Sequence, residues 1–189
     1  MNPAFNLLPR PDRAALVVID IQERLAAAMP AQELAAVTRN TVILIETAKE
    51  FGLPIVMSEQ YPQGLGPTLA EVCAALPAST HPIPKLAFSC CAEPALQSVF
   101  ETLGERDLIL CGIETHVCVL QTALDLLRQG RRVFVAADAV CSRAALNRQL
   151  GLDLMRTAGA IIGSTEMFMF GLLGAAGSER FKRLARLVK

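Results

Sequence analysis

A cysteine near the middle of the chain has the surroundings that nucleophilic chemistry requires. Cys118 follows an apolar run over residues 108–111 that breaks at Gly112, and it precedes a helical pattern over residues 119–127. This order predicts that Cys118 lies just beyond a strand, near the N-terminus of a helix. Such an end carries free N–H groups and a partial positive charge, which lower the pKa of a thiol and offer donors to an oxyanion. The alternative is a buried cysteine that packs as a small hydrophobe.

An aspartate and a lysine have neighbours that suit them to assist such a nucleophile. Asp20 ends the apolar run 15–19, where a carboxylate aimed into a cleft would act as a general base. The alternative is a helix cap, because residues 20–23 have the spacing of a capping box. Lys85 alone indicates little, since most lysines are solvated. Within a cleft, its charge would orient Asp20 and keep it ionised.

The other cysteines favour structural roles in a reduced protein. Cys111 falls in an apolar strand pattern and Cys73 in a helical one, whereas the adjacent Cys90 and Cys91 stay ambiguous. These settings favour free thiols and a cytoplasmic location over a disulfide framework. The chain has no C-x-x-C pair and only two histidines, which gives little for a zinc site.

Strand-like and helix-like segments alternate along the whole chain without a linker or repeat. Strands are predicted at residues 15–19, 54–57, 83–86, 107–111, 132–137 and 160–162. Apolar runs that alternate with helices are typical of a parallel sheet covered on both faces. The 189 residues therefore predict one domain, residues 1–189, with an α/β fold: a three-layer α/β/α sandwich around a mostly parallel sheet. Sites in such folds form at the carboxyl edge of the sheet, where Asp20 and Cys118 would meet.

Composition excludes several other classes of protein. The chain has 18 basic and 18 acidic side chains, so it lacks the positive excess expected of a nucleic-acid binder. It has no uncharged apolar run long enough to cross a membrane, and residues 1–5 lack the features of a signal peptide. We therefore expect a small-molecule substrate, no nucleic acid and no membrane.

Taken together, the motifs resemble the isochorismatase-like cysteine hydrolases. The resemblance rests on residues 18–22, 112–123 and 138–143, and it covers nearly the whole chain. Residues 58–68 and 85–89 narrow it to the branch of isochorismatase-domain-containing proteins. That branch has no well-defined substrate. The resemblance therefore specifies the expected Rossmann-like fold more closely than it specifies the activity.

The resemblance implies a role for each candidate residue. Cys118 would be the nucleophile, Asp20 would take its proton and later activate water, and Lys85 would orient Asp20. The backbone N–H groups of Glu114 and Cys118 would form the oxyanion hole. A non-proline cis peptide bond would join Ile113 to Glu114.

Two departures from better-known members narrow the expected chemistry. Nicotinamidases carry an Asp-x-His metal motif where this chain reads Ser58-Glu59-Gln60-Tyr61, so we expect no catalytic metal, no cofactor and no nicotinamidase activity. Isochorismatases proper usually lack the nucleophilic cysteine, because vinyl-ether hydrolysis proceeds by protonation. Cys118 therefore disfavours isochorismate as the substrate.

The sequence favours an amidase-like hydrolase that cleaves a C–N bond through a thioester. The alternatives are a binding or regulatory protein that kept the fold without turnover, and a redox sensor at Cys118. The residues assigned to a small, mostly apolar substrate pocket are Gln22, Gln60, Tyr61, Leu65, Phe88, Thr115 and His116. For His116, a contact at the rim or a buried structural role is favoured over a Cys–His base.

The apolar segment 167–173 predicts self-association. This segment is more apolar than a surface helix needs, which favours a homo-oligomer, either a dimer or a tetramer. The alternative is a fully buried helix.

Overall fold

The computed structural model describes residues 7–189 and contains a six-stranded sheet. The strands are β1 Ala14–Ile19, β2 Ile55–Gln60, β3 Ile83–Lys85, β4 Asp107–Ile113, β5 Val133–Cys141 and β6 Ile161–Gly163. Their order is β3-β2-β1-β4-β5-β6, and every pairing between them is parallel. The expectation of a mostly parallel sheet is therefore confirmed. Residues 1–5, which carry the expectation about a signal peptide, lie outside the described residues.

Helices cover both faces of this sheet. They are α1 Glu23–Ala26, α2 Ala31–Phe51, α3 Pro62–Leu65, α4 Ala70–Ala75, α5 Pro94–Thr102, α6 Leu120–Arg128, α7 Ala145–Thr157, α8 Thr165–Leu173 and α9 Glu179–Leu184. Among the described residues, no helix is both long and apolar enough to cross a membrane.

The alternation of side chains along β1 creates two separate cores. Leu16 and Val18 pack on one face with residues from α2 and α8, whereas Val17 and Ile19 pack on the other with residues from α5, α6 and α7. Every residue of β1 is buried, which explains why this strand is an unbroken apolar run. The predicted α/β/α sandwich is confirmed.

The fifth strand is longer than its apolar run indicates. It continues from Val133 to Cys141, past the predicted end at residue 137. The polar Asp138 is tolerated in it because its groups have internal partners. Its Oδ1 accepts hydrogen bonds from the backbone N–H and hydroxyl of Thr165, and its carbonyl accepts one from the Asn40 amide. Asp138 thereby ties the strand to α2 and α8.

Gly112 is required by a close approach between β1 and β4. Sequence analysis placed a strand break at Gly112, but β4 continues through it to Ile113. Its φ of +132° lies in a region that L side chains rarely adopt, and an added Cβ would lie 2.0 Å from the carbonyl oxygen of Ile19. The glycine therefore lets the carboxyl ends of both strands lie side by side.

Replacing this glycine tests the close approach. Gly112→Ala should lower the free energy of unfolding by roughly 3 kcal/mol, because the new methyl group forces two backbones apart. Gly130→Ala is the matched control: φ is also positive there, at +75°, but an added Cβ meets nothing within 4 Å. It should cost about 1 kcal/mol. Equal losses in urea denaturation would contradict this account of Gly112.

Candidate active site

Asp20 is placed by the strand that precedes it. It directly follows β1, has a φ of +52°, and is fully buried. Aspartate is among the few non-glycine residues that tolerate this left-handed conformation. The alternative of a helix cap is wrong, because α1 begins at Glu23 and is preceded by Gln22. The conformation turns the carboxylate of Asp20 inward instead.

Lys85 forms a fully buried ion pair with this carboxylate. Its Nζ lies 2.7 Å from Oδ2 of Asp20, and neither side chain is exposed. The same ammonium donates to Oε1 of Gln60 at 2.6 Å and to the carbonyl oxygens of Ala87 at 3.2 Å and Phe88 at 3.0 Å. With the carboxylate of Asp20, the ammonium has four acceptors within 3.2 Å for its three N–H groups, so none of them lacks a partner.

The two oxygens of Asp20 consequently have different surroundings. Oδ1 accepts a hydrogen bond from the hydroxyl of Ser58 at 2.8 Å. Oδ2 lies 2.7 Å from the Nζ of Lys85, and this ion-pair contact engages only one of the two lone pairs of that oxygen. Oδ2 therefore keeps a lone pair available for a proton.

The charge of Lys85 is maintained by its neighbours. Burial alone would lower the pKa of Lys85, but the carboxylate of Asp20 and the nearby sulfurs of Cys118 and Cys90 raise it, and the net shift is upward. Lys85 therefore stays protonated, and its positive charge stays fixed beside the carboxylate.

Cys118 lies near this pair but is not held as a thiolate. A single π-helical turn, Thr115–Val119, leads directly into α6 and contains Cys118. The cysteine therefore lies further inside the helix than predicted. Burial, followed by the charge of Asp20, raises the pKa of the Cys118 thiol, whereas Lys85 opposes the rise. The expectation of a lowered thiol pKa is wrong, because desolvation outweighs the helix terminus.

Gln22 and Gln60 support the site through hydrogen bonds to neighbouring backbone groups. The backbone N–H of Gln60 donates to Oε1 of Gln22, and Nε2 of Gln22 donates to the carbonyl oxygens of Gln60 and Gly66. Nε2 of Gln60 donates to the carbonyl of Leu86, which leaves its Oε1 facing Lys85. Both amides were assigned to substrate binding, but the structure gives them internal partners.

Tyr61 and Phe88 form an apolar rim beside Lys85, which makes up a triad with Asp20 and Cys118. Tyr61 is 50% exposed and Phe88 54% exposed, whereas Leu65 is half-buried. The backbone of this rim contacts Lys85 directly: the N–H of Tyr61 donates to its carbonyl, and the carbonyl of Phe88 accepts from its ammonium. Leu86 directly follows Lys85, is 72% exposed and is counted with this rim; the sequence analysis did not assign it a role.

Glu114 is held by an arginine and follows a cis peptide bond. The bond between Ile113 and Glu114 is cis, as the resemblance implies. Oε2 of Glu114 accepts hydrogen bonds from the backbone N–H and from Nε of Arg143, both at 3.0 Å. Burial raises the pKa of Glu114, but these bonds and the charge of Arg143 outweigh it and hold the pKa below its ordinary value.

Thr115 and His116 have different surroundings. Thr115 is fully buried, and its hydroxyl has no partner among the described residues. The ring of His116 contacts Oγ of Ser142 at 3.0 Å through Nδ1 and Nδ2 of Asn147 at 3.4 Å through Nε2. Both ring nitrogens therefore face partners other than Cys118, which disfavours a Cys–His base.

Comparison with known proteins identifies the fold family. Residues 14–167 match the family described as Isochorismatase domain. The chain belongs to the isochorismatase family. Isochorismatase domain-containing protein 2 from Bos taurus is 36% identical over 180 residues, which cover 95% of this chain and 84% of that protein. The secreted isochorismatase effector Isc1 of Phytophthora sojae is 36% identical over 182 residues, covering 95% and 86%.

A solved structure supports the same assignment. MAR1 ribonuclease from Caenorhabditis elegans has a TM-score of 0.87 and 35% identity, covering 95% of this chain and 91% of that one. Membership of the isochorismatase family thus accounts for the fold, and the names of the relatives do not agree on one activity. In the described part of this family member, no three His, Cys, Asp or Glu residues are grouped so that they could hold a metal ion.

The buried ion pair yields a prediction about stability. Lys85→Met should lower the free energy of unfolding by about 3 kcal/mol, because it leaves a buried carboxylate without its counter-charge. Adding Asp20→Asn should recover part of that loss. Lys182→Met, which removes an exposed pair with Glu179, should change it by no more than ~0.5 kcal/mol. Equal losses for the two lysine variants in chemical denaturation would contradict the importance of the buried pair.

Proposed function

We propose that this chain is a cysteine hydrolase that cleaves a C–N bond in a small molecule. The carrying observation is the arrangement around Asp20: Lys85 and Ser58 hold its carboxylate, and the carboxylate hydrogen-bonds the thiol of Cys118, which keeps its proton. A buried thiol needs a base to react, and a carboxylate with a lone pair to spare supplies it. The fixed charge of Lys85 would keep that carboxylate oriented through the cycle.

The first half of the reaction would form a thioester. The carboxylate of Asp20 takes the thiol proton as the sulfur of Cys118 attacks the substrate carbonyl and forms a C–S bond. The backbone N–H groups of Glu114 and Cys118 would stabilise the resulting oxyanion. The proton then passes from Asp20 to the leaving nitrogen as the C–N bond breaks, and an amine or ammonia departs.

The second half would release the acid. Asp20 takes a proton from water, and the hydroxide attacks the thioester carbonyl. The C–S bond breaks, and the sulfur of Cys118 takes the proton back from Asp20. Each carboxylate protonation is matched by a deprotonation, so the site returns to its starting state. Lys85 stays protonated throughout, and the proposal invokes no metal, cofactor, nucleic acid or membrane.

Burial of Cys118 favours this reaction over redox sensing. Sensor cysteines are accessible and have a low thiol pKa. Cys118 is only 5% exposed, and burial raises its thiol pKa. The apolar rim of Tyr61, Leu86 and Phe88 supports a small substrate with an apolar part, because it offers aromatic and aliphatic surface beside the triad.

The pH profile of Cys118 alkylation tests the proposed base without a known substrate. The rate with iodoacetamide, mapped by peptide mass spectrometry, should show a plateau near neutral pH and an acidic limb. The limb arises because protonated Asp20 cannot accept the thiol proton. Asp20→Asn should lose this limb and show a single rise at higher pH.

A control and a panel of amides complete this test. Cys73 is exposed and has no place in the triad, so its profile should be the same in wild type and Asp20→Asn. Any amide in the panel that wild type hydrolyses should be left intact by Asp20→Asn and Cys118→Ser. A wild-type profile without an acidic limb would contradict the proposed base and favour a binding protein.

We also propose that the chain forms a homo-oligomer. Segment 167–173 lies within α8, which buries Phe168, Met169 and Leu172 but leaves Met167 54% and Phe170 39% exposed. The structure also exposes a row of leucines on α7, four residues apart on one helix face. They are Leu146 at 68%, Leu150 at 51% and Leu154 at 55% exposure.

Light scattering tests this surface directly. Wild type should have the mass of two or four chains, because three half-exposed leucines on one face favour burial against a second copy. Leu150→Glu should reduce the mass to one chain, whereas Gln149→Glu, beside the row, should not. A wild-type mass of one chain would overturn the oligomer proposal.

A further inference from the structure

Ser58 lies between the carboxylate of Asp20 and the thiol of Cys90. It belongs to β2 and is 1% exposed. Its hydroxyl donates to Oδ1 of Asp20 at 2.8 Å, and Sγ of Cys90 lies 3.5 Å from the same hydroxyl oxygen. Ser58 does not touch Lys85 or Cys118 in any hydrogen bond or ion pair among the described residues, so its effect on them passes through Asp20.

The direction of these hydrogen bonds follows from the chemistry of the groups. An ionised carboxylate only accepts hydrogen bonds, so the single O–H of Ser58 must point to Asp20. That leaves the lone pairs of the hydroxyl oxygen for a donor. Burial raises the pKa of the Cys90 thiol, so Cys90 keeps its proton and donates to Ser58. The hydroxyl of Ser58 is thereby held in one orientation.

Hydrogen bonds of the backbone also fix the position of Ser58. Ser58 pairs with Ile19 in the parallel register, and its carbonyl accepts the backbone N–H of Asp20 at 3.2 Å. It therefore contacts Asp20 through both backbone and side chain. A donor carried by a central strand holds its geometry better than one carried by a loop.

We propose that Ser58 is a positioning residue that holds the carboxylate of Asp20 in the orientation in which it takes the thiol proton of Cys118. Its hydroxyl engages Oδ1 while the ammonium of Lys85 engages Oδ2, so the carboxylate is held at both oxygens. This inference rests on the proposed function. It adds that the orientation of the base is set in part from β2.

The acidic limb of Cys118 alkylation measures this role. Ser58→Ala removes a hydrogen bond to the charged form of Asp20, which favours the protonated form. The limb should therefore move to higher pH by about one unit, and the plateau rate should fall about tenfold because the carboxylate is freer to rotate. Ser58→Thr, which keeps the hydroxyl, should restore the wild-type limb.

Two further variants separate positioning from a general loss of packing. Thr47→Val removes another buried hydroxyl, which donates to the carbonyl of Ile43 within α2 and makes no hydrogen bond to Asp20, Lys85 or Cys118 among the described residues. It should lower the thermal midpoint without moving the limb. Ser58→Cys keeps a weaker donor of similar shape, should move the limb in the same direction by less, and serves if Ser58→Ala does not fold.

The outcomes distinguish this inference from the proposed function. A limb that moves in Ser58→Ala, moves less in Ser58→Cys and returns in Ser58→Thr supports the positioning role. A limb that is present in wild type, absent in Asp20→Asn and unmoved in every Ser58 variant overturns the inference and leaves the proposed base intact. A wild type without an acidic limb overturns both.

Discussion

The buried contact between a carboxylate and an ammonium is the interaction on which the site depends. Each ion loses several kcal/mol of solvation on burial, and only good geometry and further hydrogen bonds repay that cost. The sheet order explains how this is done. Lys85 ends β3 and Asp20 follows β1, so β2 lies between them. The lysine side chain must reach across one strand, and the side chains of that strand become its neighbours.

β2, the strand between them, supplies one hydrogen-bonding side chain for the carboxylate and one for the ammonium. Ser58 donates to the carboxylate, and Gln60 accepts from the ammonium. The two residues are two positions apart and therefore point to the same side of β2. Because the charges of Asp20 and Lys85 balance each other, a neutral thiol at Cys118 adds no net charge to the buried site. A thiolate at Cys118 would add a negative charge without a counter-charge. The structure thus explains why Cys118 keeps its proton.

The sequence predicts the layers of the fold and the starts of the strands well, because burial on both faces leaves long apolar runs. It also predicts that Asp20 and Cys118 follow strands, since parallel sheets bring such positions to one edge. It does not reveal Ser58 as a partner of Asp20, because that contact depends on which strands are neighbours. Local pattern also misjudged the thiol pKa of Cys118, since burial by distant segments decides it. The end of β5 was missed because Asp138 has its partners in α2 and α8.

In the segment that follows β3, the backbone and the side chains have different roles. Its backbone carbonyls at Leu86, Ala87 and Phe88 accept hydrogen bonds from Gln60 and Lys85, while the side chains of Leu86 and Phe88 face outward. Any amino acid provides a carbonyl, so mutation can replace these side chains without removing a ligand of the ammonium. These side chains can therefore vary while the buried ammonium keeps the same backbone partners.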